Sequence, residues 1–185
     1  MGKLFVISGA SGVGKSTVLK AVTAVRNDLA FSVSVTTRPP REGEIDGVHY
    51  DFITREKFLQ MVDEDAFAEY DIHHSACYGT PRKQMEEKQK KGHVILDIDP
   101  NGAFQVKERY PEVTLIFITP PSYEELEKRL RGRNDGMSEE KIVGRLDRAK
   151  WEMEQSGRYD HVVVNDDVER CAREILNIIS NKEHE

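Results

Sequence analysis

Cysteine is nearly absent from this sequence: Cys77 and Cys171 are the only two in 185 residues. Two thiols so far apart make no disulfide framework, which points to a reducing, cytoplasmic setting. Long apolar runs are missing as well. Stretches such as LFVI and VIL fall far short of the roughly 20 residues a membrane-spanning helix needs. The opening MGKLFV has no signal-peptide anatomy and lacks the Ser or Thr of a myristoylation signal. There is no basic excess either: 27 Lys and Arg against 33 Asp and Glu leave a net charge of −6. That is the wrong sign for a dedicated nucleic-acid binder. Neither internal repeats nor low-complexity segments occur. What remains is 38% hydrophobic and 32% charged, the balance of a folded domain with its own core.

Short apolar runs alternate with amphipathic stretches, the rhythm of an α/β fold around a parallel sheet. KLFVIS, HVILDI, VTLIFIT and DHVVVN read as buried strands. STVLKAVTAVR reads as a helix with Val18, Leu19, Val22 and Val25 on one face. Thr80-Pro81 predicts a helix start, with Thr80 as the cap and Pro81 in the first position, and Gly92 marks its end. Ser122 and Glu125 form a capping box for another helix. Residues 31–80 break the rhythm: FSVSVT, HYDFI and FAEYDI are β-like, with a short helix expected at REKFLQMV. With no flexible linker at either edge, this block reads as an inserted β-rich subdomain.

Gly9, Ala10, Ser11, Gly12, Val13, Gly14, Lys15 and Ser16 spell GASGVGKS, which fits G-x-x-x-x-G-K-S/T in full. The run follows a predicted strand and opens a predicted helix, as the pattern requires. Glycines let the backbone curl so that its N–H groups converge on phosphate oxygens at a helix N-terminus. Lys15 is then placed for the β- and γ-phosphates and the Ser16 hydroxyl for Mg²⁺. Asp97, at the carboxyl end of HVILDI, is positioned to orient water around that metal. Asp99 sits in DPNG, also a good turn sequence, so its local pattern is as much structural as functional.

TTRPPREGEIDGVHY, residues 36–50, admits three readings: an adaptor ligand, a nucleic-acid arm, or a clamp for one small anion. Pro39 and Pro40 stiffen the link between Arg38 and Arg41, which lowers the entropy cost of holding an anion. Arginine donates two parallel bonds to a phosphate, and Tyr50 and Tyr78 add neutral donors. The prolines are adjacent and lie between predicted strands, so the clamp is favoured over the adaptor ligand. A third arginine set, Arg129, Arg131, Arg133, Arg145 and Arg148, surrounds GRNDGM. It reads as a mobile lid that brings positive charge in with substrate and excludes water. Arg131 and Arg148 stand out locally. Ordinary helix-face ion pairs such as Glu125–Arg129 account for part of the set.

FVISGASGVGKST, SVSVTTRPPREGEIDGVHYDF, FAEY, YGT, LDID, IFITPPS, RLRGR and VVVNDD together resemble the guanylate kinases across nearly the whole chain. The resemblance implies a phosphate-loop parallel-sheet core flanked by helices, with a β-rich GMP-binding subdomain and a mobile helical lid. The core is expected at about 1–30, 81–122 and 157–185, the GMP subdomain at about 31–80, and the lid at about 123–156. It implies transfer of the γ-phosphoryl group of ATP to GMP, with dGMP as a further acceptor, in purine nucleotide metabolism. By the same resemblance Ser34 donates to the guanine carbonyl, and Arg38, Arg41, Tyr50 and Tyr78 hold the GMP phosphate. Glu69 accepts from the guanine N1–H and amino group, with Thr80 and Asp99 beside the base. Lys15, Arg38, Arg129, Arg133 and Arg145 neutralise charge in transfer. Residues 9–16 with Thr17 and Asn165 take ATP, while Mg²⁺ is held by Ser16 and, through water, Asp97.

The chain departs from the family pattern in a lid one residue longer, in Cys77, and in DPNGA. His73 and His74 acquire no role. The alternatives weighed are a non-catalytic guanylate-kinase-like module that binds phosphopeptides and a kinase for another phosphorylated acceptor. The intact phosphate loop argues against the first, Ser34 with Glu69 against the second. Expected partners are ATP and GMP, with no nucleic acid or membrane, in a monomer or simple homo-oligomer.

Overall fold

Each apolar run that reads as a buried strand becomes a strand, but DHVVVN forms an edge strand with Val162 45% exposed and, of its valines, only Val163 buried. In this computed structural model, which describes residues 1–132 and 136–184, the order begins β1 (Leu4–Gly9), α1 (Lys15–Val25), β2 (Ala30–Phe31), β3 (Val35–Thr36), β4 (Asp51–Phe52) and α2 (Arg55–Asp63). It continues with β5 (Phe67–Ile72), β6 (Cys77–Pro81), α3 (Arg82–Gln89), β7 (Val94–Asp97), α4 (Pro100–Arg109) and β8 (Thr114–Thr119). The last elements are α5 (Tyr123–Arg131), α6 (Glu139–Glu154), a 3₁₀ turn at Gln155–Arg158, β9 (His161–Val164) and α7 (Val168–Glu183). One sheet has the order β2-β7-β1-β8-β9, the other β4-β3-β6-β5. β1 with β8, β8 with β9 and β2 with β7 are all parallel pairs. This is the expected α/β architecture, a helix-flanked parallel sheet with a smaller mixed sheet. Among the described residues, no helix is long and apolar enough to cross a membrane.

The chain divides into two compact units, residues 1–4 with 28–113 and residues 5–27 with 114–185. In the second, β1 and β8 are buried through their first five residues, as a parallel sheet covered on both faces demands. Helix α1 packs against α7, and its Val18, Leu19 and Val22 are buried. Val25, expected on the same face, is 70% exposed. It is the last helical residue, and the chain turns extended at Arg26, so the stripe outruns the surface it packs on. Ser122 accepts from the Glu125 N–H at 3.1 Å, but Glu125 spends its carboxylate on Arg129. Only half of the expected capping box forms.

In the first unit, FSVSVT splits between the sheets: β2 pairs with β7, and β3 joins the mixed sheet. There β3 is antiparallel to β6 and parallel to β4, and β5 is an antiparallel edge strand on β6. Val35, Phe58, Phe67 and Cys77 form the apolar cluster beneath, with the Phe58 and Phe67 rings stacked at 4.7 Å. Thr80 is no helix cap. It lies within β6, its hydroxyl donates to Glu69 at 2.6 Å, and Pro81 stands at the N-cap of α3 without a side-chain bond. Donating to Glu69 leaves the hydroxyl's lone pairs unused; Thr80 is no cap because β6 runs through Pro81, so the helix starts one residue too late for it.

Phe58 is fully buried and its neighbour Leu59 is 41% exposed. Phe58→Ala should destabilise by about 3–5 kcal/mol in urea unfolding, whereas Leu59→Ala should change stability by no more than about 0.5 kcal/mol. Similar losses in both variants would mean that α2 is not anchored by this cluster.

Candidate functional site

Strand β1 delivers the chain into its phosphate loop at Gly9, and α1 starts at Lys15. Between them Gly12 has φ +88° and Gly14 φ +92°, conformations that residues with a Cβ rarely adopt. A Cβ on Gly12 would also lie 2.5 Å from Leu130 Cδ2. Gly14 caps α1 with no side-chain hydrogen bond, so the first helical N–H groups are not consumed by a capping side chain. They are the natural donors to an anion. The Val13 N–H donates to the Ala10 carbonyl at 2.9 Å, closing the loop on itself. Ser16 and Thr17 are exposed at the start of the helix, and Lys15 is half-buried.

Two residues brace this loop from behind. Asn165 is only 4% exposed; its Nδ2 donates to the Val13 carbonyl at 2.7 Å and its N–H to the Thr119 carbonyl at 2.8 Å. Its own carbonyl accepts from Arg129 Nη1 at 3.0 Å, while Arg129 Nε meets Glu125 Oε1 at 3.1 Å. The second brace is Glu152, 6% exposed. Its Oε2 accepts from the Ser11 N–H at 2.7 Å and its Oε1 from Arg148 Nε at 2.9 Å. Glu152 escaped the motif reading. It follows Ile142, Leu146 and Ala149 on the buried stripe of α6, and a charged residue at that spacing was the available signal. A cavity of about 540 Å³ opens beside the loop, lined by Gly12, Val13, Gly14, Thr17, Arg129 and Asn165 among others.

The other arginines of residues 129–148 fare differently. Arg131 is held in surface ion pairs with Glu127 at 2.8 Å and Glu139 at 2.7 Å. Arg148 lies over Trp151 at 4.6 Å as well as bonding Glu152. Arg145 Nη1 approaches Met137 Sδ at 3.5 Å. Arg133 lies outside the described residues.

In the first unit, Arg38 is the centre of the clamp. Its two terminal nitrogens donate to Glu44, each at 2.6 Å, in a fork that fixes the guanidinium plane. Glu44 Oε2 also accepts from the Arg41 N–H at 2.7 Å. Arg38 lies 5.0 Å from the Tyr50 ring centroid, and Tyr50 meets Tyr78 edge-on at 6.1 Å. Hydrogen bonds from Arg38 and the Arg41 backbone pull the Glu44 carboxyl down to about 2, so it is ionised throughout the neutral range. The sequence reading passed over Glu44; its signal was an acid in reach of both clamp arginines. Arg41 itself is exposed. The carbonyl of Ser34 accepts from the Asp51 N–H at 2.9 Å, which ties its loop to β4.

The other cluster in this unit surrounds Glu69, 5% exposed. Glu69 stands opposite Thr80 in the β5–β6 ladder, just past an irregularity between Phe67 and Glu69. Burial pushes its carboxyl up to about 7; the Asp99 and Asp71 charges add to the rise, and the Thr80 hydroxyl opposes it. Asp99 is the N-cap of α4, accepting from the Gly102 N–H at 3.0 Å, so its structural reading holds. Asp97 is exposed at the end of β7.

With its folded value raised above the ordinary 4.5, Glu69 binds its proton more tightly in the folded chain. The stabilisation this gives is full below about pH 4.5 and disappears as pH rises through about 7. Glu69→Gln keeps the acceptor for Thr80 and cannot ionise. Between pH 5 and 8 it should gain stability relative to the parent by an amount on the order of 3 kcal/mol in urea titrations. A constant difference across that range would mean that Glu69 is not desolvated in the folded chain.

The family model for guanylate kinase matches residues 1–182. A guanylate kinase from Fusobacterium nucleatum is 46% identical over 182 residues, covering 98% of this chain and 97% of the relative. One from Thermus thermophilus is 47% identical over 182 residues, 97% of this chain and 81% of the relative. The crystal structure of guanylate kinase from Anaplasma phagocytophilum has a TM-score of 0.78 at 34% identity, over 100% of this chain and 87% of that one. A phosphate loop held in left-handed glycine geometry, an arginine–tyrosine clamp and a buried carboxylate thus stand in a chain that belongs to the guanylate kinase family.

Proposed function

We propose that this protein transfers the γ-phosphoryl group of ATP to GMP, and to dGMP, giving GDP or dGDP and ADP, in purine nucleotide metabolism. The observation that carries the reading is the phosphate loop: Gly12 and Gly14 are left-handed and Lys15 opens α1. A module that bound a phosphorylated peptide through the GMP side alone would have no use for a second loop fitted to a triphosphate. The nucleotides themselves are the partners, in a cytoplasmic monomer or simple homo-oligomer, with no nucleic acid or membrane involved. The division into core, GMP subdomain (about 31–80) and lid (about 123–156) is proposed on the same footing.

The GMP phosphate is taken by Arg38 and Arg41 with the Tyr50 and Tyr78 hydroxyls, and the Arg38–Glu44 fork holds one guanidinium in place beforehand. Pre-organisation of this kind lowers the ordering cost of binding. Guanine offers two adjacent donors to Glu69, with Ser34 at its carbonyl and Thr80 and Asp99 beside it. The ionised form of Glu69 is the competent acceptor, so a carboxyl pushed up to about 7 links guanine binding to loss of a proton. Residues 9–17 cradle the ATP phosphates, and Asn165, which braces Val13, lines the cavity beside them. Ser16 and Asp97 are exposed oxygen donors, the hard hydroxyl and carboxylate chemistry that suits Mg²⁺. The metal, when bound, supplies charge neutralisation at the phosphates. A GMP phosphate oxygen attacks the γ-phosphorus in line, and no covalent enzyme intermediate forms. Lys15 and the arginines Arg129, Arg133 and Arg145 stabilise charge on the group in flight.

Lys15→Ala should lower turnover by on the order of 10³-fold or more while GMP affinity, read by titration calorimetry, stays within a few-fold. In a coupled assay across the nucleoside monophosphates, GMP and dGMP should be the preferred acceptors. Near-parental turnover in the variant would remove the loop from the chemistry, and preference for another base would overturn the acceptor assignment.

A further inference from the structure

Glu69 is held on a side that the base-recognition residues do not account for. One oxygen, Oε1, accepts from the Thr80 hydroxyl. The other, Oε2, rests against α4, where a Cβ built on Gly102 would stand 2.6 Å from it and 3.1 Å from the carboxyl carbon. Gly102 is buried and its N–H is committed to Asp99 at 3.0 Å. It therefore acts here by having no side chain: the carboxylate occupies the volume a methyl group would fill. Its backbone is ordinary helix, so the requirement is one of space and not of φ.

One turn further along, Gln105 grips the same strand. Its Oε1 accepts from the Tyr70 N–H at 3.1 Å and its Nε2 donates to the Tyr70 carbonyl at 2.9 Å. A side-chain amide thus supplies, at one residue, the two bonds that a neighbouring strand would make to edge strand β5. The grip falls one residue after Glu69, beside the irregularity between Phe67 and Glu69, where strand register is least constrained. Slippage by one residue would turn Glu69 to the opposite face.

We infer that helix α4, through Gly102 and Gln105, is the gauge that sets guanine discrimination by fixing the depth and register of the Glu69 carboxylate. Both are positioning residues for base recognition, and the inference rests on the reading of Glu69 as the guanine acceptor. Guanine offers N1–H and a 2-amino group, whereas hypoxanthine offers N1–H alone. The ratio of kcat/KM for GMP to that for IMP therefore reports whether both carboxylate oxygens are in position. Overall folding or a general loss of activity would leave that ratio unchanged.

The decisive experiment measures kcat/KM for GMP and IMP, and KM for ATP, in Glu69→Gln, Gly102→Ala, Gln105→Leu and the Glu69→Gln/Gly102→Ala double variant. Gly102→Ala should lower the GMP/IMP ratio roughly tenfold and Gln105→Leu a few-fold, through KM for the monophosphate, with KM for ATP unchanged. In the double variant Gly102→Ala should add little to the effect of Glu69→Gln, since it acts through that carboxylate. If Glu69→Gln lowers the ratio but Gly102→Ala and Gln105→Leu leave it at the parental value, the gauge is refuted while the Glu69 reading stands. An unchanged ratio in Glu69→Gln itself refutes that reading and the gauge with it. Should Gly102→Ala fail to fold, Gln105→Leu decides the question alone.

Discussion

Burying one carboxylate without a cation is the constraint around which residues 28–113 are arranged. Taking an ionised carboxyl out of water costs several kcal/mol unless hydrogen bonds replace its hydration. Glu69 has the Thr80 hydroxyl and carries its unmet cost as a proton affinity raised to about 7. The consequences spread outward: the Thr80 hydroxyl is turned to donate to it, α4 has glycine where it rests, and edge strand β5 is clasped by Gln105. Each concession removes a little local stability. Together they leave a buried polar group with one hydroxyl partner, the group proposed to meet the guanine edge.

The Arg38–Glu44 pair follows the opposite logic. It sits near the surface, where a salt bridge by itself adds little to stability, and the bidentate geometry matters more than the attraction. Pro39 and Pro40 limit the backbone, and Glu44 limits the guanidinium and the Arg41 N–H. An anion arriving here meets groups already ordered.

The phosphate loop is likewise rigid for reasons its motif does not contain. Its glycines permit the curl, but Asn165 at Val13, Glu152 at Ser11 and the Leu130 side chain against Gly12 hold it there. Glu152 also engages Arg148 on the same helix. Helix α6, which carries Arg145 and Arg148, therefore shares a buried carboxylate with the phosphate loop.

The sequence alone determined the three central strands of the parallel sheet, because strands buried on both faces are continuously apolar, as LFVI, VIL and TLIFI are; the edge strand β2 it assigned to the inserted block. It determined the phosphate loop, because only glycine adopts φ near +90° freely at residues 12 and 14. Arg-Pro-Pro-Arg was legible as a stiff, charged segment because stiffness and charge are local properties, whereas the Glu44 fork on Arg38 was not. Tertiary structure decided the rest. Thr80 lies in a strand and not at a helix cap because β6 pairs through Pro81, and its hydroxyl finds its acceptor in Glu69, eleven residues away on another strand. Glu152 and Asn165 meet the loop from 141 and 152 residues away, and neither carries a local mark of that partner. Gly102 and Gln105 look like ordinary helix residues until β5 is laid against them. Local sequence specifies what a backbone can do and which face is apolar, whereas a buried polar group takes its meaning from a partner that only the fold supplies.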